Sequence, residues 1–333
     1  MSYPPNAPLE CLSLRDLDEQ SEQFNQVVRS TPEIDRFCSS TYWSIPAHMA
    51  FSNFRPAWIR QTAAGYAAMA VGNRHTAGPV LEPLEFIWGA ACPWVGPDAL
   101  NLVESLESEV LSLQRSHVPI LLTGLQWGGK LFHAVVQRFR HSMDIRHGTV
   151  TRCYRASLDD GPDGFLRRRS SGFRTNLRRS VKRSQVEGIT FEYFQRFANY
   201  EEVLAVFRRV LAVEQQSWKG QLGTGMAEPS MHEFYQQMVR RLWREQSIRV
   251  IIARHQGRDV GFVFGALVDG IYRGLQVSFA MEFEAVGLGN VLQWEMIQRL
   301  CLEPCHLYDL GVEVAYKERW GEDVFETVLL MLE

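Results

Sequence analysis

Near the C-terminus a run of ionisable side chains follows directly on an apolar segment: Leu307-Tyr308-Asp309-Leu310-Gly311-Val312-Glu313, then Ala315-Tyr316-Lys317-Glu318-Arg319-Trp320-Gly321. A strand that ends in acid and glycine and is followed at once by Tyr and Lys sets these groups at the mouth of a sheet, where open α/β-type sheets hold ligands. Such a set offers a base in Glu313 or, second, Asp309, an acid in Tyr316, and in Lys317 a cation for developing negative charge. The competing reading is a solvated loop with Lys317 paired to Glu313 or Glu318.

A second chemical signal lies at Val286-Gly287-Leu288-Gly289-Asn290, between the apolar run Ile271–Phe279 and a long helical pattern. Glycines at a helix start let free backbone N–H groups approach an anion, and the helix dipole adds to the attraction. The spacing is neither that of a dinucleotide-binding fingerprint nor that of a phosphate-binding P-loop. By itself it fits a pyrophosphate loop and a tight strand-to-helix turn about equally well.

Glu214, Trp218 and Lys219 sit where a helix ends and a loop with Gly220, Gly223 and Gly225 opens. They suit acceptor contacts or a lid, while Trp218 suits core packing as well. The segment Arg167, Arg168, Arg169, Arg174, Arg178, Arg179, Lys182 and Arg183 carries no intervening acid. Helical spacing places Arg174, Arg178 and Lys182 on one face, as phosphate tracking needs, although a solvated helix between two domains accounts for the same pattern. Cys301, Cys305 and His306 supply at most three ligands, too few to complete a tetrahedral metal site, so no metal is expected and the cysteines read as core.

The elements that must position these groups are legible from periodicity. In the second half the order is strand Ile189–Phe194, helix Tyr200–Gln216, helix Pro229–Glu245 and strand Ile248–His255. Strands Val260–Val268 and Ile271–Phe279, helix Leu288–Leu302, and strands His306–Leu310 and Phe325–Leu330 follow. In the first half Ala57–Val71, Leu100–Gln114 and Leu131–Arg140 read as helices, Phe86–Ala91 and Pro119–Leu125 as buried strands. Leu158–Gly164 (LDDGPDG) is the strongest turn signal, which sets a domain boundary there and predicts domains at 1–160 and 161–333.

The chain has 333 residues, 46% of them hydrophobic and 22% charged, which suits two folded domains rather than disorder. A net charge of −3 argues against wholesale nucleic-acid binding. The six scattered cysteines, with no secretory leader ahead of them, are expected to be reduced thiols in a cytoplasmic protein. No apolar run is long enough for a transmembrane segment.

Four segments together carry a resemblance: Phe173-Arg174-Thr175-Asn176-Leu177-Arg178-Arg179, Glu214 with Ser217-Trp218-Lys219-Gly220, Tyr308-Asp309-Leu310-Gly311, and Tyr316-Lys317-Glu318-Arg319-Trp320. The combination resembles the acetyltransferases associated with cellulose and exopolysaccharide biosynthesis. These belong to the GNAT superfamily and are similar to the Fem-type aminoacyltransferases, which hold two GNAT-like domains in tandem. The resemblance implies an α/β (α+β) fold of tandem GNAT-like domains, each a mixed, mostly antiparallel sheet flanked by helices. The N-terminal copy would be degenerate and the second entered through the basic helix.

The resemblance further implies an acyl thioester donor, acetyl-CoA or another acyl-CoA, lying between splayed strands. Ile271–Phe279 would pair with its pantetheine arm, a backbone N–H at Val277 or Ser278 would bind the oxyanion, and Gly287, Gly289 and Asn290 would take the pyrophosphate. The superfamily's loop reads Q/R-x-x-G-x-G/A, whereas Glu284 stands at the first position here. The expected reaction is N-acylation of an amine on a small molecule, peptide or sugar by direct attack in a ternary complex, with Glu214, Trp218, Lys219 and Arg174 touching the acceptor. Two alternatives stay open: aminoacyl-tRNA as the donor, which the Fem enzymes use, and a non-catalytic binding module.

Overall fold

The computed structural model of the protein describes residues 9–74 and 78–333; Met1–Pro8, expected to be loosely ordered, lie outside the described residues. The chain forms two compact units, one running to Arg152 and including Glu326–Glu333, the other Cys153–Phe325. Along the first come β1 (Glu10–Leu12), α1 (Leu14–Glu19), α2 (Ser21–Ser30), α3 (Arg36–Ser39), α4 (Ser44–Phe51), β2 (Ala57–Thr62), β3 (Gly65–Arg74), β4 (Gly78–Pro83), β5 (Trp94–Val95), α5 (Ala99–Arg115), β6 (Ile120–Gln126), α6 (Lys130–Phe139) and the start of β7 (Ile145–Ser157). Along the second come α7 (Gly161–Arg167), α8 (Ser171–Val186), β8 (Thr190–Phe194), α9 (Tyr200–Gln215), α10 (Trp218–Gln221), α11 (Pro229–Arg244), β9 (Ile248–His255), β10 (Arg258–Val268), β11 (Ile271–Phe279), α12 (Leu288–Leu300), β12 (Leu307–Val312) and the start of β13 (Asp323–Leu332).

Each unit is a mixed, mostly antiparallel sheet flanked by helices. In the first the strand order is β1-β2-β3-β4-β6-β13, and β5 pairs with β3. In the second it is β7-β12-β11-β10-β9-β8. A parallel pair sits inside each sheet, β4 with β6 and β11 with β12. The first core gathers Leu102, Leu106 and Val110 of α5 and Val135 and Phe139 of α6 over Ile59, Met69 and Leu122. The second gathers Leu288, Leu292, Met296 and Leu300 of α12 with Phe165, Leu177, Val263, Tyr308 and Trp320.

The helices over α5, α6, α9, α11 and α12 form where periodicity and caps place them; Asp98 caps α5 by accepting from Leu100 and Asn101 N–H. Three expectations are corrected. Ala57–Val71 is a hairpin of β2 and β3, because Gly65 turns the chain at φ 147° and a Cβ there would stand 2.0 Å from the Val95 carbonyl of β5. Its alanines fit either period, so tertiary pairing decides.

Phe86–Ala91 is a loop rather than a strand. The fully buried Glu85 carboxylate takes the N–H groups of Trp88, Gly89, Ala90 and Ala91, and burial raises its pKa despite these bonds. Leu158–Gly164 is no linker. Pro162 stands in the first turn of α7, where its missing N–H costs nothing, while Leu158 N–H donates to His306 O at 2.8 Å inside the second unit. The units meet along the chain within β7, at Arg152/Cys153, instead of at 160/161. Ser170 starts a new helix by capping Phe173 N–H, so the basic stretch is divided between α7 and α8.

The feature that positions the site is a fork between β11 and β12. These strands pair in parallel through Ile271–Arg273 against Leu307–Asp309 and no further. On β11 the next residues bulge, since Gly265 and Phe264 of β10 face Gly274 and Gln276 and leave Leu275 extra. On β12 Leu310 is extra in the same way between Asp309 and Gly311, which pair with Arg155 and Tyr154 of β7. A bulge bends its strand, and two bulges beyond one rung part the strands. At that last rung Arg273 and Asp309 form a buried ion pair at 2.9 Å, and Asp309 also accepts Gly311 N–H at 2.8 Å and lies 3.4 Å from Arg155.

Asp309→Leu leaves two guanidinium groups without their counter-ion and is expected to destabilise the second unit by about 3–5 kcal/mol. Equilibrium denaturation measures this; a loss below about 1 kcal/mol contradicts the role given to the pair.

Candidate active site

The fork opens into a cavity of about 760 Å³ lined by β11, β12, the start of α12, α10 and the loop after β12. Register fixes which peptide groups of β11 face it. Ala280 N–H donates to Val260 O, so in the antiparallel pair of β10 and β11 the groups of Ser278, two residues back and opposite Phe262, also point at β10. Val277 therefore turns its N–H and C=O to the opposite edge, into the fork. The Ser278 side chain is buried and absent from the lining, so of the two expected oxyanion donors only Val277 is presented.

At one end of the cavity stand Gly287, Gly289 and Asn290. Gly287 begins α12 at φ 77°, a left-handed conformation that favours glycine, and no side chain caps the helix. The Leu288 and Gly289 N–H groups thus have no side-chain cap, whereas Asn290 N–H already donates to Gly287 O at 3.0 Å. Gly289 is required by packing, since a Cβ there would stand 2.9 Å from the Phe279 ring. Glu284 lines this end too, as the unusual donor loop led one to expect.

At the other end are Lys219, Lys317, Tyr316 and Trp218. Lys219 donates to Gln276 Oε1 at 2.6 Å and to Val277 O at 3.3 Å, and Glu214 Oε1 lies 3.8 Å away. Burial lowers the Lys219 pKa, against the pull of Glu214. Gln276 in turn donates to Tyr235 Oη at 2.8 Å. Lys317 donates to Val312 O at 2.9 Å, and burial, reinforced by the Arg273 charge, lowers its pKa to about 8. Neither Glu313 nor Glu318 bridges it. Burial raises the pKa of Tyr316, which keeps its phenol protonated.

Eight of the expected site residues thus share one cavity: Val277, Gly287, Gly289, Asn290, Trp218, Lys219, Tyr316 and Lys317. Five do not line it. Asp309 is engaged in its ion pairs at the rung. Glu313 is exposed and accepts from Tyr154 Oη at 3.1 Å. Glu214 is fully buried behind Lys219, where its Oε1 accepts Met226 N–H. Arg174 folds back onto the Arg169 carbonyl, which removes it from the basic face expected of α8. Ser278 faces the other side. Trp218 is 55% exposed at the rim, so it is not core.

Sequence reading passed over Gln276 and Gln293 and gave no role to Tyr308 and Arg319, which it met within its motifs; all four line the cavity. Tyr308 donates to Gln293 Oε1 of α12. The available signal was polarity out of place: Gln276 within Leu275–Val277 and Gln293 within Leu292–Trp294 interrupt apolar runs. Among the described residues no cluster of His, Cys, Asp and Glu is arranged to hold a metal ion. No described helix is long and apolar enough to cross a membrane.

The first unit has the corresponding parallel pair but a different interior. β4 and β6 share one residue pair, Leu81 with Ile120. Further along β6, Thr123 Oγ1 donates to Ala91 O at 2.6 Å, and a Cβ on Gly124 would stand 2.6 Å from Cys92 N. Backbone of residues 90–92 packs there against the strand.

The chain is similar in fold to several solved structures. A conserved protein of unknown function from Bacteroides thetaiotaomicron superposes with a TM-score of 0.64 at 9% identity, over 98% of this chain and 99% of that one. FemX gives 0.63 at 10% identity over 97% of each. A C-terminal DUF2156 domain from Agrobacterium fabrum, assigned to a lysylphosphatidylglycerol synthetase, gives 0.61 at 13% identity over 94% of this chain and 91% of that one. No curated protein matches the sequence. Residues 171–320 match the acetyltransferase (GNAT) domain family, a span that holds the fork, the glycine turn and the Tyr316–Trp320 segment. The matched stretch, a little under half of the chain, is thus similar to a GNAT acetyltransferase domain.

Proposed function

We propose that the protein transfers an acyl group from acyl-CoA, acetyl-CoA first, to the amine of a small molecule, peptide or sugar by direct attack within a ternary complex. The observation that carries this reading is the cavity in the fork, with the Val277 N–H at its middle and the uncapped start of α12 at one end. A thioester laid along β11 has its diphosphate at that helix start and its carbonyl at the Val277 N–H, which stabilises the tetrahedral oxyanion. The acceptor then occupies the end lined by Trp218, Lys219, Tyr316 and Lys317.

An alkylammonium must lose a proton before it can attack. Glu313 and Asp309, the bases suggested by residue type, are occupied outside the lining, so the role passes to Lys317. Its neutral amine accepts the proton from the attacking nitrogen, and the protonated Tyr316 phenol donates to the leaving thiolate. Lys219 fixes the Val277 carbonyl and, with Gln276, the shape of the acceptor end. The first unit, whose β6 is covered by residues 90–92, takes no part in the chemistry under this reading.

A second donor is favoured by a specific observation. Arg178, Arg179 and Lys182 stand exposed on α8, a surface suited to the phosphates of an aminoacyl-tRNA. A non-catalytic binding module predicts no stabilisation by either donor. Thermal unfolding separates the three: CoA at a large excess over its dissociation constant is expected to raise the midpoint by several degrees, whereas tRNA and buffer leave it in place. A shift with tRNA alone transfers the proposal to the second donor.

Because the base is the neutral form of Lys317, turnover rises with pH and levels off above about 8. Thiol release from acetyl-CoA over a panel of amines is expected to show this inflection. Lys317→Met should lower kcat/KM by about 10²-fold and abolish the inflection. An unchanged profile in the variant removes Lys317 from the mechanism.

A further inference from the structure

The donor loop brings an acid, Glu284, to the place where a diphosphate is to bind, and supplies no cation of its own. The helix packed against that loop supplies one. Along α8, Leu177 and Ser180 face α12, and Arg183 Nη1 donates to Ala285 O at 2.7 Å, between the cavity-lining Glu284 and Gly287. Ser180 is only 8% exposed, and its hydroxyl lies against the start of α12. A Cβ on Gly287 would stand 2.5 Å from Ser180 Oγ. On the far side Arg319 lines the cavity together with Asn290.

We propose that α8 completes the donor site: the Ser180 hydroxyl and the Arg183 guanidinium, with Arg319 opposite, hold the diphosphate of CoA over the uncapped N-terminus of α12. The inference rests on the reading of the donor as a CoA thioester. Charge bookkeeping supports it. A phosphate at the helix start meets a partial positive charge there, but an adjacent carboxylate works against binding. Two guanidinium groups reverse that balance, and a bound phosphate gives the Ser180 hydroxyl an acceptor. A segment outside the usual glycine loop thereby becomes the determinant of donor specificity.

Calorimetric titration of the intact protein with CoA, with pantetheine, which lacks every phosphate, and with uncharged tRNA tests this. Wild type is expected to bind CoA at least about 30-fold more tightly than pantetheine, the worth of about two charge-assisted contacts. Ser180→Ala and Arg183→Gln should each weaken CoA about 5- to 10-fold and leave pantetheine affinity unchanged, which a merely structural role would not do. Arg319→Gln should behave likewise. Equal weakening of both ligands, or no weakening of CoA, overturns the assignment to α8. If wild type binds CoA and pantetheine equally, the phosphate site falls while the thioester reading stands. If neither binds, or only tRNA does, the donor reading itself has failed.

Discussion

The buried pair of Arg273 and Asp309 is the constraint on which the site depends. It closes the last rung between β11 and β12, and both strands bulge directly beyond it. Two charges removed from water are tolerable only when each is matched, and here Asp309 is matched by Arg273, by Arg155 and by the Gly311 N–H. Pairing continues up to that rung and stops there because Leu275 and Leu310 put the two strands out of step. The edge of β11 beyond is left without a neighbour, and Val277 turns its peptide groups into the space. A cavity between parallel strands with unsatisfied N–H groups is a place prepared for an extended ligand.

The distribution of charge around the cavity follows from the same rung. Arg273, held at the fork, adds to the burial that lowers the pKa of Lys317 to about 8. Lys219 has its own carboxylate, Glu214, behind it and spends its donors on Gln276 and Val277. Asp309, one of the two acids that residue type offers for catalysis, is thus a group that holds the framework. Lys219 and Lys317, by contrast, line the cavity. That inversion is physical: a carboxylate in the interior is stable when several donors surround it, and donors are plentiful at strand bulges and helix ends.

Most of the second unit was legible in sequence. Alternating or continuous apolar runs bounded by glycine gave β9 and β11 at their observed limits, and the apolar stripe of α12 begins at Leu288 as expected. The Tyr308–Gly311 and Tyr316–Trp320 segments both reach the cavity in the fork, where Tyr308, Leu310, Tyr316, Lys317 and Arg319 line it. Individual roles were less legible. Asp309 and Glu313 are both plausible bases by type, and only their partners, two arginines for one and Tyr154 for the other, remove them from the lining. Ser278 and Val277 are adjacent, and the register with β10 separates them. In the first unit the helical reading of Ala57–Val71 failed because short alanine-rich segments carry little periodic signal.

The sequence by itself determined the local elements, the glycine turn at Gly287, the basic character of α8 and the presence of an acid at Glu284, because backbone conformation, capping and charge are properties of neighbouring residues. Tertiary structure alone decided which of these meet. Arg273 and Asp309 are 36 residues apart and become one rung. Ser180 and Gly287 belong to different elements of the sequence, and their contact joins a basic helix to the glycine turn at the start of α12. Contacts of this kind depend on strand register and on helix packing across the sheet, and both are set by the whole core rather than by any stretch of sequence around the residues concerned.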